Sequence, residues 1–142
     1  MSAGRYAGDL TPREAWDLLA ADERAVLVDV RTDAEWRYVG VPDVSGLGRR
    51  TELVEWVRYP SGQPNAEFLA ELARTGLTPG DERPVVFLCR SGVRSVAAAT
   101  AATAAGYGPA YNVLEGFEGD VDAQGHRGAA GWRAAGLPWT QP

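Results

Sequence analysis

The spacing of apolar and polar positions along the chain predicts strands alternating with helices. Thr11-Pro12-Arg13-Glu14 is a capping box, with Thr11 placed to accept from the N3 amide, Pro12 at N1 and Glu14 reaching back. A helix from Pro12 to about Ala20 follows, with Ala15, Leu18 and Leu19 on its inner face. Ala25 to Val30 is a continuous apolar run rich in Val and Leu, which suits a strand covered on both sides, and it stops at Asp29-Val30-Arg31. Thr32 or Asp33 caps a short turn of helix carrying Glu35 and Trp36, and Pro42, Asp43, Ser45, Gly46 and Gly48 mark an irregular loop.

Further on, Glu52 to Arg58 alternates imperfectly between apolar and charged residues and is expected to be a strand. Asn65 caps an expected helix from Ala66 to Thr75, with Phe68, Leu69 and Leu72 on one side and Gly76 as its C′ residue. Thr78-Pro79-Gly80-Asp81 reads as a turn, Pro84 to Leu88 as an unbroken apolar strand delivering Cys89, and Arg94 to Ala105 as an alanine-rich helix ended by Gly106. Tyr111 to Leu114 is a further buried strand. This alternation predicts an open α/β domain on a mainly parallel sheet. No internal repeat or low-complexity linker interrupts it, so one domain is expected over residues 1–142.

Composition narrows what such a domain can do. With 45% hydrophobic and 23% charged residues, 142 residues suffice for one packed core. The net charge of -5 argues against nucleic acid and anionic membrane as partners, since both require a cationic face. Met1 to Leu10 has no apolar leader core, and no run approaches the roughly 18 apolar residues of a membrane span. A soluble, cytoplasmic protein is the expectation. One cysteine and one histidine, His126, make neither an internal disulfide nor the usual zinc sites, so no metal or cofactor is expected. Asp120-Val121-Asp122-Ala123-Gln124-Gly125 lacks the closing glutamate of a calcium loop, since position twelve is Gly131.

The chemistry gathers at Val85-Val86-Phe87-Leu88-Cys89-Arg90-Ser91-Gly92-Val93-Arg94-Ser95, where a buried strand hands a cysteine to a glycine-containing turn that opens a helix. In open α/β sheets ligands bind beyond the carboxyl ends of strands, and free amides at a helix N-terminus favour an anion. Helix N-termini and neighbouring arginines favour the thiolate form of cysteine, and Arg90 and Arg94 stand in that position. A cysteine that merely filled the core would leave the two arginines, the glycine and the two serines after it without explanation.

Cys89-Arg90-Ser91-Gly92-Val93-Arg94-Ser95 resembles the active-site loop of the rhodanese family, a cysteine followed by four residues and then arginine. Leu27-Val28-Asp29-Val30-Arg31-Thr32-Asp33-Ala34-Glu35-Trp36 resembles the family's Asp-Val-Arg…Glu-Tyr/Trp signature, and Trp132-Arg133-Ala134-Ala135-Gly136-Leu137-Pro138 its C-terminal Trp-x-x-Ala-Gly-Leu-Pro. The chain departs from the pattern at Val39-Gly40-Val41-Pro42-Asp43-Val44, where the customary Gly-His-Ile-Pro-Gly-Ala loses its histidine, and in an insertion from Phe117 to Gly131.

The resemblance implies a rhodanese-like open, mainly parallel sheet flanked by helices on both faces. It further implies a thiosulfate sulfurtransferase without a cofactor. Cys89 would take the outer sulfur of a donor such as thiosulfate, expelling sulfite, and pass it from a persulfide to a thiol, cyanide or protein acceptor. Substrate binding would fall to Arg90, Ser91, Gly92, Val93, Arg94 and Ser95, whose amides would cradle the persulfide. Arg94 would either face the donor or pair with an acidic residue to brace the loop. Asp29 and Arg31 would shape the pocket floor, with Arg31 near enough to pair with Glu35. Two other readings remain: a noncatalytic or regulatory module binding through the Trp56 and Tyr59 loop or the insertion, and a cysteine phosphatase or arsenate reductase. Loops of the latter kind place five residues between cysteine and arginine, against four here.

Overall fold

The structure, a computed structural model, describes residues 5–141. Pro142 and the first four residues of the stretch considered for a leader lie outside the described residues. Along the chain run β1 (Gly8–Leu10), α1 (Pro12–Ala21), β2 (Val26–Asp29), α2 (Asp33–Tyr38), β3 (Val41–Pro42), β4 (Glu52–Leu53), α3 (Phe68–Arg74), β5 (Val85–Leu88), α4 (Arg94–Ala104), β6 (Ala110–Val113) and β7 (Trp139–Thr140). Five strands form one sheet in the order β1-β6-β5-β2-β4, with every neighbouring pair parallel. A small antiparallel ribbon joins β3 to β7. The expected open, mainly parallel α/β sheet is therefore present.

β2 and β5 sit in the middle of this sheet and are buried at every position, which is why their sequences read as unbroken apolar runs. Side chains alternate across a strand. Val26, Val28, Val85 and Phe87 meet Phe68 and Leu72 of α3 and Ala98 and Ala102 of α4 on one face. Leu27, Val86 and Leu88 meet Ala15 and Leu19 of α1, together with Phe117 and Trp132, on the other. The two faces thus have separate cores, and the strand ends between them hold the polar residues.

The capping box at Thr11 is formed, with the Glu14 amide donating to Thr11 Oγ1 and the Thr11 amide to Glu14 Oε1. At the far end of α1, Arg49 reaches across to donate to the carbonyls of Leu19, Asp22 and Ala25, a cation placed where a helix leaves its last acceptors open.

Three expectations need correction. The strand over Glu52 to Arg58 is only Glu52–Leu53: beyond it the Val54 and Trp56 amides still donate to the Asp29 and Val30 carbonyls, but the regular ladder ends there and Val57 bridges to Pro64 instead. The helix expected from Ala66 starts at Phe68, since the buried Asn65 side chain accepts from the Glu67 amide and holds an Asx turn ahead of it. Leu69 does not face the core but is 42% exposed, one position round the helix from the buried Phe68. The short strands β1, β3 and β7 carry too little apolar periodicity to be anticipated. Among the described residues no helix is long and apolar enough to cross a membrane.

Candidate active site

β5 ends at Leu88 and α4 begins at Arg94, so Cys89 opens the connecting loop at the carboxyl edge of the sheet. Its side chain is turned inward and buried. The Gly92 amide donates to Cys89 Sγ over 3.1 Å, and Ser95 Oγ lies 3.2 Å from the same sulfur. Gly92 reaches this position with φ +106°, a conformation that L side chains rarely adopt. No side chain caps the N-terminus of α4, so its first amides remain available at the loop. Of the loop amides from Arg90 to Ser95 expected to surround the sulfur, that of Gly92 donates to it in this state.

A neighbouring segment sets the loop's shape. The amide of Phe117 donates to the Cys89 carbonyl, and those of Glu118 and Gly119 to the Arg90 carbonyl. Gly116, at φ +56°, packs so closely on the loop that a Cβ there would collide with the Cys89 and Arg90 carbonyls. These contacts engage the Cys89 and Arg90 carbonyls on the side of the Phe117–Gly119 segment, while the Gly92 amide faces the sulfur. Gly116 belongs to the site's framework, yet one glycine beside another loop gives no sequence signal of this role.

Arg94 braces the loop. Its Nη1 and Nη2 donate to Glu35 Oε1 and Oε2 over 2.7 and 2.9 Å, a bidentate pair joining α4 to α2. Glu35 also accepts from the Thr32 amide, closing a second capping box, so Thr32 is the cap of α2. Burial alone would push the Glu35 carboxyl up, but the hydrogen bonds and charge of Arg94 outweigh it and hold its pKa at about 2. Burial likewise works against the Arg94 charge, and the hydrogen bonds and charge of Glu35 raise its pKa instead.

The expected Arg31–Glu35 pairing is absent. Arg31, fully buried, turns back to Asp29: Nε donates to Oδ1 over 3.0 Å and Nη2 to Oδ2 over 2.7 Å. Nη2 also donates to the Gly40 carbonyl, and the guanidinium lies 4.3 Å from the centre of the Phe117 ring. Its Nη1 is buried without a hydrogen-bond partner. Asp29 and Arg31 therefore form a closed pair beneath the site, tying β2 to the turn before β3 and to the segment that shapes the loop. Gly40 occupies the position of the customary histidine, and the reason is steric: a Cβ there would lie 2.8 Å from Trp139 Cε3.

Arg90 differs from Arg94. It is exposed and, among the described residues, makes no ion pair or side-chain hydrogen bond. With Arg94 it lines one side of a pocket of about 440 Å³ whose other walls include Glu35, Tyr38, Val39, Val57 and Tyr59. A larger cavity of about 530 Å³ lies at the opposite end of β2, against Arg49, and contains none of the loop residues. The smaller one is lined by Arg90 of the cysteine loop and Arg94 of the helix it opens, and fits the rule that open parallel sheets bind at their carboxyl edge. Among the described residues no cluster of His, Cys, Asp and Glu is placed to hold a metal ion, and His126 is exposed in the insertion.

This sheet order, with a cysteine loop between the central strand and the helix that follows it, defines a rhodanese-like domain, and the chain belongs to the rhodanese-like family. More narrowly, the family described as the STR4 middle domain matches residues 8–142. Among individual relatives, the chain is 35% identical over 126 residues to an uncharacterized protein of Rickettsia conorii, covering 89% of this chain and 91% of the relative. It is 27% identical over 130 residues to the chloroplastic Rhodanese-like domain-containing protein 4 of Arabidopsis thaliana, covering 92% of this chain but 25% of that longer protein. Two solved structures are similar. The crystal structure of Rv0390 from M. tuberculosis superposes with a TM-score of 0.88 at 60% identity, covering 97% of this chain and 100% of that one. The 30 kDa polysulfide-sulfur transferase homodimer from Wolinella succinogenes superposes with a TM-score of 0.63 at 25% identity, covering 94% and 78%.

Proposed function

We propose that the protein is a sulfurtransferase that carries sulfane sulfur as a persulfide on Cys89. The observation that carries this reading is the convergence of the Gly92 amide on a buried cysteine sulfur at an uncapped helix N-terminus, beside a pocket lined by Arg90 and Arg94. The Cys89 thiolate attacks the outer sulfur of thiosulfate. A new sulfur–sulfur bond forms to Cys89, the bond to the sulfonate sulfur breaks, and its electron pair leaves on sulfite. Sulfite is a weak base, so the step requires no general acid.

The terminal persulfide sulfur then passes to an attacking thiolate or cyanide, and Cys89 leaves as thiolate. With a single cysteine in the chain, the acceptor is external. Arg90 binds the anionic donor, while Arg94, held by Glu35, keeps the loop in register and contributes its field. The similarity to a polysulfide-sulfur transferase makes polysulfide a second candidate donor.

Intact mass spectrometry of the reduced protein before and after thiosulfate or polysulfide tests this. The expected result is a gain of one sulfur atom, removed by cyanide or thiol and absent from Cys89→Ser. A folded protein that stays unmodified with both donors, while a control sulfurtransferase is loaded, overturns it.

A further inference from the structure

Cys89 lies at the end of a continuous chain of polar side chains that starts on the outermost strand of the sheet. Asp9, on β1, accepts from Tyr6 Oη over 2.8 Å and from Asn112 Nδ2 over 3.0 Å. Asn112, on the adjacent β6, presents its Oδ1 to Ser95 Oγ at 2.5 Å, and Ser95 Oγ stands 3.2 Å from Cys89 Sγ. Asn112 and Ser95 are buried, whereas Asp9 is exposed.

Proton counting fixes the direction of this chain. An ionised carboxylate only accepts, so the Asn112 amide must turn its NH₂ toward Asp9 and its carbonyl oxygen toward Ser95. A carbonyl also only accepts. The single hydroxyl proton of Ser95 is therefore committed to Asn112 and points away from the sulfur. What Ser95 offers Cys89 is a lone pair, which accepts the S–H of a thiol and opposes a thiolate. Were Asn112 turned over, its NH₂ would donate to Ser95 and the Ser95 proton would fall on the sulfur, but the Asn112 oxygen would then face an Asp9 oxygen.

We propose that Asp9 and Asn112 are positioning residues that, by fixing the direction of the Ser95 hydroxyl, set the proton state of Cys89 and hold the resting sulfur as a thiol. Forming the thiolate then requires Ser95 to rotate from Asn112 to the sulfur, and an anion at the sulfur is what rewards that rotation. The proposal concerns the same cysteine as the sulfurtransferase reading, but its test needs no sulfur transfer. The other charged groups on the elements around Cys89 are Arg90 and Arg94, the Asp29–Arg31 pair at the end of β2, Glu35 on α2, Glu115 after β6, and Glu118, Asp120 and Asp122 of the segment packed on the loop. None of them belongs to the chain from Asp9 to Ser95.

The test is the pH dependence of Cys89 alkylation by iodoacetamide in Asp9→Asn, with and without Ser95→Ala. Tyr6 and Asn112 both meet the same oxygen of Asp9, Oδ1. An asparagine that places its NH₂ there can donate one proton to the Asn112 oxygen and the other to Tyr6 Oη, whose hydroxyl turns to accept, so the whole chain can run in reverse and deliver the Ser95 proton to the sulfur. The expected result is a midpoint moved to lower pH by about one unit, the scale on which a hydrogen bond to the charged form shifts a pKa. In a Ser95→Ala background the Asp9→Asn shift should vanish. Loss of the Asp9 charge acting only through space would shift both backgrounds equally, and that outcome overturns the proposal. So does an Asp9→Asn profile that superimposes on the parent. Because alkylation reads the thiolate directly, a protein that never loads sulfur still gives a decisive answer.

Discussion

At Cys89 each neighbour acts through one atom, so single substitutions separate their contributions. Arg90 has no structural partner among the described residues, and Arg90→Ala is expected to leave the unfolding midpoint unchanged while raising the thiosulfate concentration for half-maximal loading about tenfold, the effect of one lost charge-assisted contact. Steady-state loading and thermal unfolding on the same sample check this. Gly116 sits at the other extreme. Gly116→Ala places a methyl against the carbonyls of Cys89 and Arg90, which are backbone and cannot swing aside. A loss of about 2–3 kcal/mol and at least a tenfold fall in loading are expected, read by urea denaturation and by mass spectrometry. The contacts of Gly92 and Ser95 with the sulfur fall within the Cys89 to Ser95 run, which is why that run alone pointed to them. Gly116 was not legible in this way, because nothing about a glycine reports which backbone it will approach.

Between elements, the Glu35–Arg94 pair is what couples α2 to α4 behind the loop. It is mostly sheltered, with side-chain exposures of 18% and 22%, so removing one partner leaves a poorly solvated charge. Glu35→Gln should cost about 3 kcal/mol and also reduce loading, since the loop loses its brace. The sign of the pH dependence follows from the lowered pKa: the contribution of Glu35 is fully present above its unfolded value near 4.5 and is lost as pH falls through about 2. Across that window the parent should lose on the order of 3 kcal/mol that Glu35→Gln does not. Urea midpoints measured at pH 5, 3.5 and 2.5 would show the two curves converging. Sequence spacing suggested that Arg31 would meet Glu35, four residues on, and here local proximity misled. Asp29 closes β2 two residues back, and the fully buried guanidinium folds onto its carboxylate through Nε and Nη2.

The whole molecule holds the site from both sides of the sheet. The face carrying α1 is closed by residues that come after β6. Phe117 and Trp132 are fully buried against Leu27, Val86 and Leu88, and Trp132 Nε1 donates to the Pro138 carbonyl over 2.7 Å. The ribbon of β3 and β7 then locks the chain end to the turn carrying Gly40. The insertion from Phe117 to Gly131 begins and ends in this layer, since the Trp132 amide returns to the Gly116 carbonyl, and its exposed middle hangs outside. Trp132→Ala should therefore cost about 3–5 kcal/mol and soften the Cys89 loop with it, whereas His126→Ala should leave both stability and loading unchanged. Thermal melts monitored beside sulfur loading distinguish the two.

What the sequence by itself determined was whatever depends on neighbours within one turn or one strand. The capping boxes at Thr11 and Thr32, the buried runs of β2 and β5, the helix stop at Gly106 and the placing of Cys89 between strand and helix all have local causes. Alternation of strand and helix then leaves a parallel sheet as the simplest way to bury those runs. Tertiary structure alone decided which charges pair, why Gly40 replaces a histidine, how Gly116 shapes the loop, and that Asp9 of β1 reaches Cys89 through Asn112 and Ser95. The physical reason is that Glu35 and Arg94, Gly40 and Trp139, Gly116 and Cys89, and Asp9 and Asn112 stand dozens of positions apart, and strand order, which no periodicity encodes, is what brings them within the few ångströms over which hydrogen bonds and steric exclusion act; Arg31, released from Glu35 by that pairing, turns to its near neighbour Asp29.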